Sequence, residues 1–188
     1  TLWRCENVVA MIDIDSGSVR RLTPAGASYS LLAANNGTLI AAQSTPTSPP
    51  EVVVGCGTTP ELENSCWEWK PVPSSPSRSA STERALKSVT QQTLMYTPAG
   101  ALDPVDAIVL SPAEKAATAR PILFVHGGPH SAFPAAWAWA PCALASQGWT
   151  VIMPNYRGSK GFGEVALQSL PGNIGSQDVG DSLASLNA

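Results

Sequence analysis

Pro121-Ile122-Leu123-Phe124-Val125-His126-Gly127-Gly128-Pro129-His130 is the stretch that decides how the second half of this chain folds. Its first five residues are apolar at every position, as in a strand covered on both faces. The two glycines that follow let the backbone turn sharply and leave peptide N–H groups with no side chain in the way. Taken alone, a Gly-Gly turn after a strand is more often simply a turn. His126 and His130 stand four apart, but Gly-Gly-Pro between them rules out a regular helix. No Glu follows His126, so a structural role is expected for both rings and no metal is expected.

Working outward, residues 106–110 (DAIVL) form one more strand upstream. Downstream, the Ala/Trp-rich residues 135–147 are expected to form a helix ended by Gly148 in the C′ role. Residues 149–153 (WTVIM) form the next strand, and NYRGSKGFG (155–163) a Gly-rich loop. Ser176 is placed to cap a last helix, with Asp178 in its first turn and Val179, Leu183 and Leu186 on one face. Strand, helix, strand, loop and helix, with solidly apolar strands, mark an α/β layered domain over 104–188 and a parallel sheet. Trp137, Trp139 and Trp149 are expected to cover that sheet, and Cys142 to be a small core residue. Arg157 is expected to make an ion pair or a carbonyl contact, because the loop around it is not a phosphate-binding Walker loop.

Residues 1–70 follow a different pattern, with short strands, turn punctuation and no helical period. Residues 8–14 are a strand that turns at 15–18 and returns through 19–22. Residues 29–33 and 38–42 form a hairpin around Asn35-Asn36-Gly37, where both turn residues tolerate positive φ. A Pro-rich link (45–50) leads to another strand at 51–55, and Trp67 and Trp69 alternate as on one strand face. Four to five antiparallel strands at this spacing make about one propeller blade or part of a sandwich. Residues 71–82 (PVPSSPSRSAST) are expected to be a mobile loop or linker.

Composition narrows the classes. Of 188 residues, 44% are hydrophobic and 13% charged, so disorder along the whole length is not expected. A net charge of −3, with 11 Lys and Arg that form no cluster, argues against nucleic acid and anionic membranes as partners. No apolar run approaches the roughly 18–20 residues of a bilayer span. Cys5, Cys56, Cys66 and Cys142 are too scattered for a disulfide framework or a zinc site, so free thiols in a reducing compartment are expected.

Three runs now stand in order: HGGPHS (126–131), NYRGSKGFG (155–163) and LPGNIGSQDV (170–179). Together they resemble the prolyl oligopeptidase family of serine peptidases, and within it the acylaminoacyl-peptidase branch. AAQSTPTSPPEVVVG (41–55) is similar to the last propeller strands that precede the hydrolase domain there. The resemblance implies a mixed fold, the C-terminal part of a β-propeller followed by the N-terminal part of an α/β-hydrolase domain. Its divisions would be propeller strands at 1–70, a linker and connecting strand at 71–103, and the peptidase portion at 104–188. The implied activity is release of an N-acylated amino acid from a blocked peptide through an acyl-enzyme. A cytoplasmic protein, possibly homo-oligomeric and without cofactor or metal, is implied as well. Gly128 would supply an oxyanion-hole N–H, with Gly127 and Pro129 shaping the loop; such a donor is worth about 3–4 kcal/mol where one has been removed.

One departure limits that expectation. The fold's nucleophile belongs in a G-x-S-x-G elbow, followed later by Asp and His. No such elbow occurs here; Arg157-Gly158-Ser159-Lys160-Gly161 has Arg where the first Gly belongs and follows the wrong strand. Both histidines lie in the HGGPH run, so the triad Ser, Asp and His are absent and this chain is expected to be an inactive fragment of a longer enzyme. The other readings are a non-catalytic relic or interaction module, and a lipase or esterase of the same superfamily, which the NYRGS and LPGN runs disfavour. An α/β sheet with an uncovered apolar edge is also expected to make the isolated chain aggregation-prone or partly molten.

Overall fold

The chain opens with two small hairpins, β1 (Leu2–Trp3) with β2 (Glu6–Asn7) and β3 (Ala10–Ile12) with β4 (Val19–Arg21). The computed structural model describes residues 1–57, 67–73, 79–114 and 121–188. Asp13 fastens the second hairpin, its carboxylate accepting from the Ser16 N–H and hydroxyl at 2.7 Å each.

Next comes a four-stranded antiparallel meander, β5 (Ser28–Asn35), β6 (Thr38–Thr45), β7 (Ser48–Cys56) and β8 (Glu68–Pro71). Asn36 (φ 43°) and Gly37 (φ 76°) both take positive φ, which gives the first turn the twist its strands need. The residues expected as a Pro-rich link are instead a Pro46-Thr47 turn followed directly by β7. Pro49 and Pro50 fit in that strand because β8 pairs only from Val53 onward, and the β6 register slips between Gln43 and Thr45. Val9, Ala27, Tyr29, Ala41 and Val53 form the core beneath, with Trp69 packed against them. Trp67 and Trp69 lie together with ring centroids 6.4 Å apart, and the Trp69 indole N–H donates to Leu22 O at 2.9 Å.

The stretch expected as linker contains the start of α1 (Ala80–Lys87). Ser79 caps it by accepting from the Thr82 N–H, while Glu83 and Lys87 suit the two ends of its dipole. Residues 74–78 and Cys66 lie outside the described residues; Cys5, Cys56 and Cys142 are free thiols.

The second sheet contains β9 (Val89–Tyr96), β10 (Val105–Pro112), β11 (Pro121–Leu123) and β12 (Thr150–Pro154), in the spatial order β11-β12-β10-β9. The expected parallel sheet is therefore mixed: β10 runs antiparallel to both neighbours, and only β11 and β12 are parallel. Between those two the chain crosses through α2 (Trp139–Ser146). This helix starts four residues later than expected, because Pro141 has no N–H to donate and is tolerated only in a first turn. Gly148 ends it at φ 97°, as anticipated.

Alternate residues of β10 face opposite ways. Ile108 and Leu110 pack with Val151, Met153, Cys142 and Ala145, while Val105, Ala107 and Val109 pack with Tyr96 and Ile152. Trp137 joins the first cluster; Trp139 is 71% exposed and Trp149 also faces solvent, contrary to expectation. β11 departs too. Among the described residues it is an edge strand with one neighbour, so Ile122 and Leu123 are half-buried and Val125 is exposed.

Two helices follow, α3 (Glu164–Gln168) and α4 (Gln177–Ala184). The expected Ser176 side-chain cap is not made; its hydroxyl donates to Asn173 O, and Asp178 instead accepts from the Gly175 N–H. Nor does the apolar face of α4 point inward. Val179 and Leu183 are about half exposed, whereas Asp181 and Ser182 are buried. An ion pair at Asp181, described below, sets the helix rotation. Among the described residues no helix is long and apolar enough to cross a membrane.

Candidate active site

The HGGPH loop leaves the end of β11 and forms one wall of a groove of about 380 Å³. Ile174, Val179 and Leu183 of the α4 region face it from the other side, with Tyr156 and Asp178 among the few polar groups. The misoriented face of α4 is thus a wall of this groove. Gly128 has φ 76°, a conformation that L side chains rarely adopt, although a Cβ there would meet nothing within 4 Å. Backbone conformation, rather than space, demands glycine. The N–H groups of Gly127 and Gly128 have no hydrogen-bond partner among the described residues. Two free N–H groups in an apolar groove suit a negatively charged oxygen.

A second loop, residues 155–163 after β12, holds the first in place. Tyr156 stacks on the His126 ring at 4.5 Å and donates its hydroxyl to His126 O at 2.9 Å. His130 Nδ1 donates to Gly158 O at 2.9 Å, and the Lys160 N–H donates to Ser131 O at 2.9 Å. Asn155, with no exposed surface, accepts from the Phe133 N–H and donates to Phe133 O. A single amide side chain thereby imitates a strand pairing.

The His126 Nε2···Ser159 Oγ distance of 2.9 Å is that of a nucleophile and its base. Ser159 has no exposed surface, so no substrate carbonyl reaches its oxygen. His126 Nδ1 faces Gly127 O at 3.2 Å, not a carboxylate. That carbonyl only accepts, so Nδ1 carries the proton and Nε2 accepts from Ser159. Burial pushes the His126 pKa below its usual value, which keeps the ring neutral. The pair is a clasp between loops, in keeping with the structural role expected of both histidines.

Arg157 makes both of the contacts anticipated for it. Its Nε and Nη2 bind Asp181 at 2.8 and 2.6 Å, and Nη2 also donates to Ala99 O at 3.1 Å. Asp181 is 1% exposed and takes the Arg157 N–H as well, and hydrogen bonding to it raises the Arg157 pKa further. Tyr96 of β9 completes the cluster by donating to Asp181 O. Sequence reasoning missed this pairing, and it missed the partner of Asp106. The available signal was Asp106 itself, a carboxylate inside an apolar strand that requires a counter-charge.

Comparison with known proteins agrees with this architecture. Residues 1–84 match the family described as acylamino-acid-releasing enzyme, N-terminal domain. Acylamino-acid-releasing enzyme 2 of Oryza sativa subsp. japonica is 36% identical over 98% of this chain, which covers 25% of that protein. The acylamino-acid-releasing enzyme of Rattus norvegicus is 37% identical over 90% of the chain, covering 24% of its own length. Among solved structures, the acylaminoacyl peptidase of Pyrococcus horikoshii superposes on 99% of the chain with a TM-score of 0.74 at 22% identity, and 27% of that protein is covered. Along nearly its whole length the chain is similar in sequence to acylamino-acid-releasing enzymes, and it spans about a quarter of the length of the curated relatives it matches.

Proposed function

We propose that this chain forms part of a serine peptidase that releases N-acylated amino acids from blocked peptides, and that the Gly128 N–H is an oxyanion donor in it. The observation that carries this reading is the free N–H pair of Gly127 and Gly128. It sits on a loop that follows the third strand of its sheet in chain order, counting β9, β10 and β11. Hydrolases of the α/β class donate to the oxyanion from a loop in this position. In this reading residues 1–70 supply strands of a β-propeller, residues 71–103 the linker and connecting strand, and residues 104–188 the first part of an α/β-hydrolase domain. The β9 strand, paired along the whole of β10, is the connecting strand.

The chemistry follows from what the chain holds and lacks. A tetrahedral intermediate places negative charge on the former carbonyl oxygen, and a pre-aimed N–H stabilises that charge without reorganising. Gly127 and Pro129 fix where the N–H points. Covalent attack and proton transfer belong to a Ser, Asp and His that this chain does not contain in catalytic form. The test is to read the transcript past the codon for Ala188, express the whole reading frame, and assay release of acetyl-alanine from acetyl-alanine p-nitroanilide. Expected is turnover by the longer protein, abolished by a serine-directed phosphonate, and none by residues 1–188 alone. A reading frame with no Ser elbow, or a longer protein that leaves the anilide intact, would overturn the proposal.

A further inference from the structure

The first five residues belong to the opposite end of the sequence from the groove, yet they are built into its support. Arg4 binds Asp106 of β10 through both carboxylate oxygens, Nη2 to Oδ1 at 2.5 Å and Nε to Oδ2 at 3.1 Å. Its guanidinium lies 5.3 Å from the centroid of the Phe162 ring, and its backbone N–H donates to Gly161 O at 3.0 Å. Arg4 itself takes φ 52°, an uncommon conformation for a side-chain-bearing residue. Next to it, Cys5 is buried in the same cluster as Ile108 and Met153, and its carbonyl accepts from the Ala135 N–H. Gly161 leaves no room for adjustment, because a Cβ there would lie 2.3 Å from Arg4 O.

The Arg4 contacts with Gly161 and Phe162 fall on the segment that grips the HGGPH loop, and its partner Asp106 is bonded to the start of that segment. Gly161 and Phe162 end the run whose Tyr156, Gly158, Ser159 and Lys160 clasp residues 126–131, and the Asn155 N–H donates to Asp106 O at 2.8 Å. We infer that Arg4 is a positioning residue for the glycine loop: by tying residues 155–163 to β10, it sets where the Gly127 and Gly128 N–H groups stand. This rests on the reading of Gly128 as an oxyanion donor only for its catalytic meaning; the mechanical link stands on the contacts alone. It makes the turn of the first small hairpin, between β1 and β2, part of the site's support.

The chain offers a selective probe, because its only two histidines are His126 and His130. Selective ¹⁵N labelling of histidine and tryptophan in the whole chain therefore reports the clasp through the two histidine rings and the first sheet through the Trp69 indole N–H, assigned by its loss in Trp69→Phe. In Arg4→Ala, expected is collapse of the two distinct ring signals toward the tautomer mixture of free histidine, with the Trp69 signal unmoved. Arg4→Lys, which keeps the charge but loses the two-pronged bond, is expected to fall between. Ring signals identical to wild type in Arg4→Ala would overturn the inference. If Arg4→Ala also loses the Trp69 signal, Arg4→Lys decides: unmoved rings with intact Trp69 reject the link, and shifted rings support it. Failure here is separable from failure of the oxyanion reading, which is judged by turnover of the longer protein.

Discussion

The two four-stranded sheets are held together in different ways. In the first, β5 to β8 are neighbours in sequence and in space, and the β5–β6 and β6–β7 pairings start from the tight turns that join them. In the second, the spatial order departs from the chain order, and the loops at its edge are pinned by pairs far apart in sequence. Arg4 to Asp106 spans 102 residues, His126 to Ser159 spans 33 and Arg157 to Asp181 spans 24. Local turn chemistry is enough to specify a meander. The HGGPH loop makes one side-chain bond of its own, His126 Nδ1 to Gly127 O, and is otherwise clasped by polar groups gathered from residues 156–160.

Removing a buried charge from the second sheet is the most direct way to break that contrast. Asp181→Asn takes the buried carboxylate's charge away from the partly buried Arg157 guanidinium, and a loss of about 3 kcal/mol is expected in denaturant titration. Glu6→Gln weakens the half-buried pair with Arg21 in the first half, where about 1 kcal/mol or less is expected. Equal losses would erase the distinction.

A smaller contrast separates two glycines with similar backbones. Gly158→Ala meets Leu170 Cδ2 at 2.2 Å with φ at +105°, and should cost about 3 kcal/mol from overpacking and strain together. Gly37→Ala, in the β5–β6 turn at φ +76°, meets only ordinary contact and should cost about 1–2 kcal/mol. Thermal melts of the two variants check the ranking.

The pH response should be smaller still and confined to the second half. His126 has a folded pKa below its unfolded value of about 6.5, so the unfolded chain binds the extra proton first as pH falls. The clasp's contribution is therefore complete above about pH 6.5 and declines below it, toward the lowered folded value. Following the histidine ring signals and the Trp69 indole through pH 7.5 to 5 checks this. Expected is loosening of the rings before any change at Trp69.

Legibility in the sequence follows the same division. The Asn-Gly hairpin, the Gly148 helix end and the glycine loop were readable because each depends on adjacent residues. Arg157 was readable in kind but not in partner. The mixed sheet was not, since apolar runs look alike whichever way neighbouring strands point. The inward polar side of α4 also escaped, because helical periodicity places Val179, Leu183 and Leu186 inside while the Arg157–Asp181 pair turns them out. Ser159, set aside in the sequence as a false elbow, proved to be a buried clasp.

The most direct measurement is the turnover of Gly128→Ala against wild type in the protein expressed from the whole reading frame, using acetyl-alanine p-nitroanilide. A Cβ at Gly128 meets nothing within 4 Å apart from its chain neighbours, so the substitution challenges the backbone angle that aims the N–H and adds one methyl to the groove wall. A fall in kcat on the order of 10²-fold or more, with KM little changed, is the result expected for a lost oxyanion donor. An unchanged kcat in a folded Gly128→Ala enzyme would contradict it.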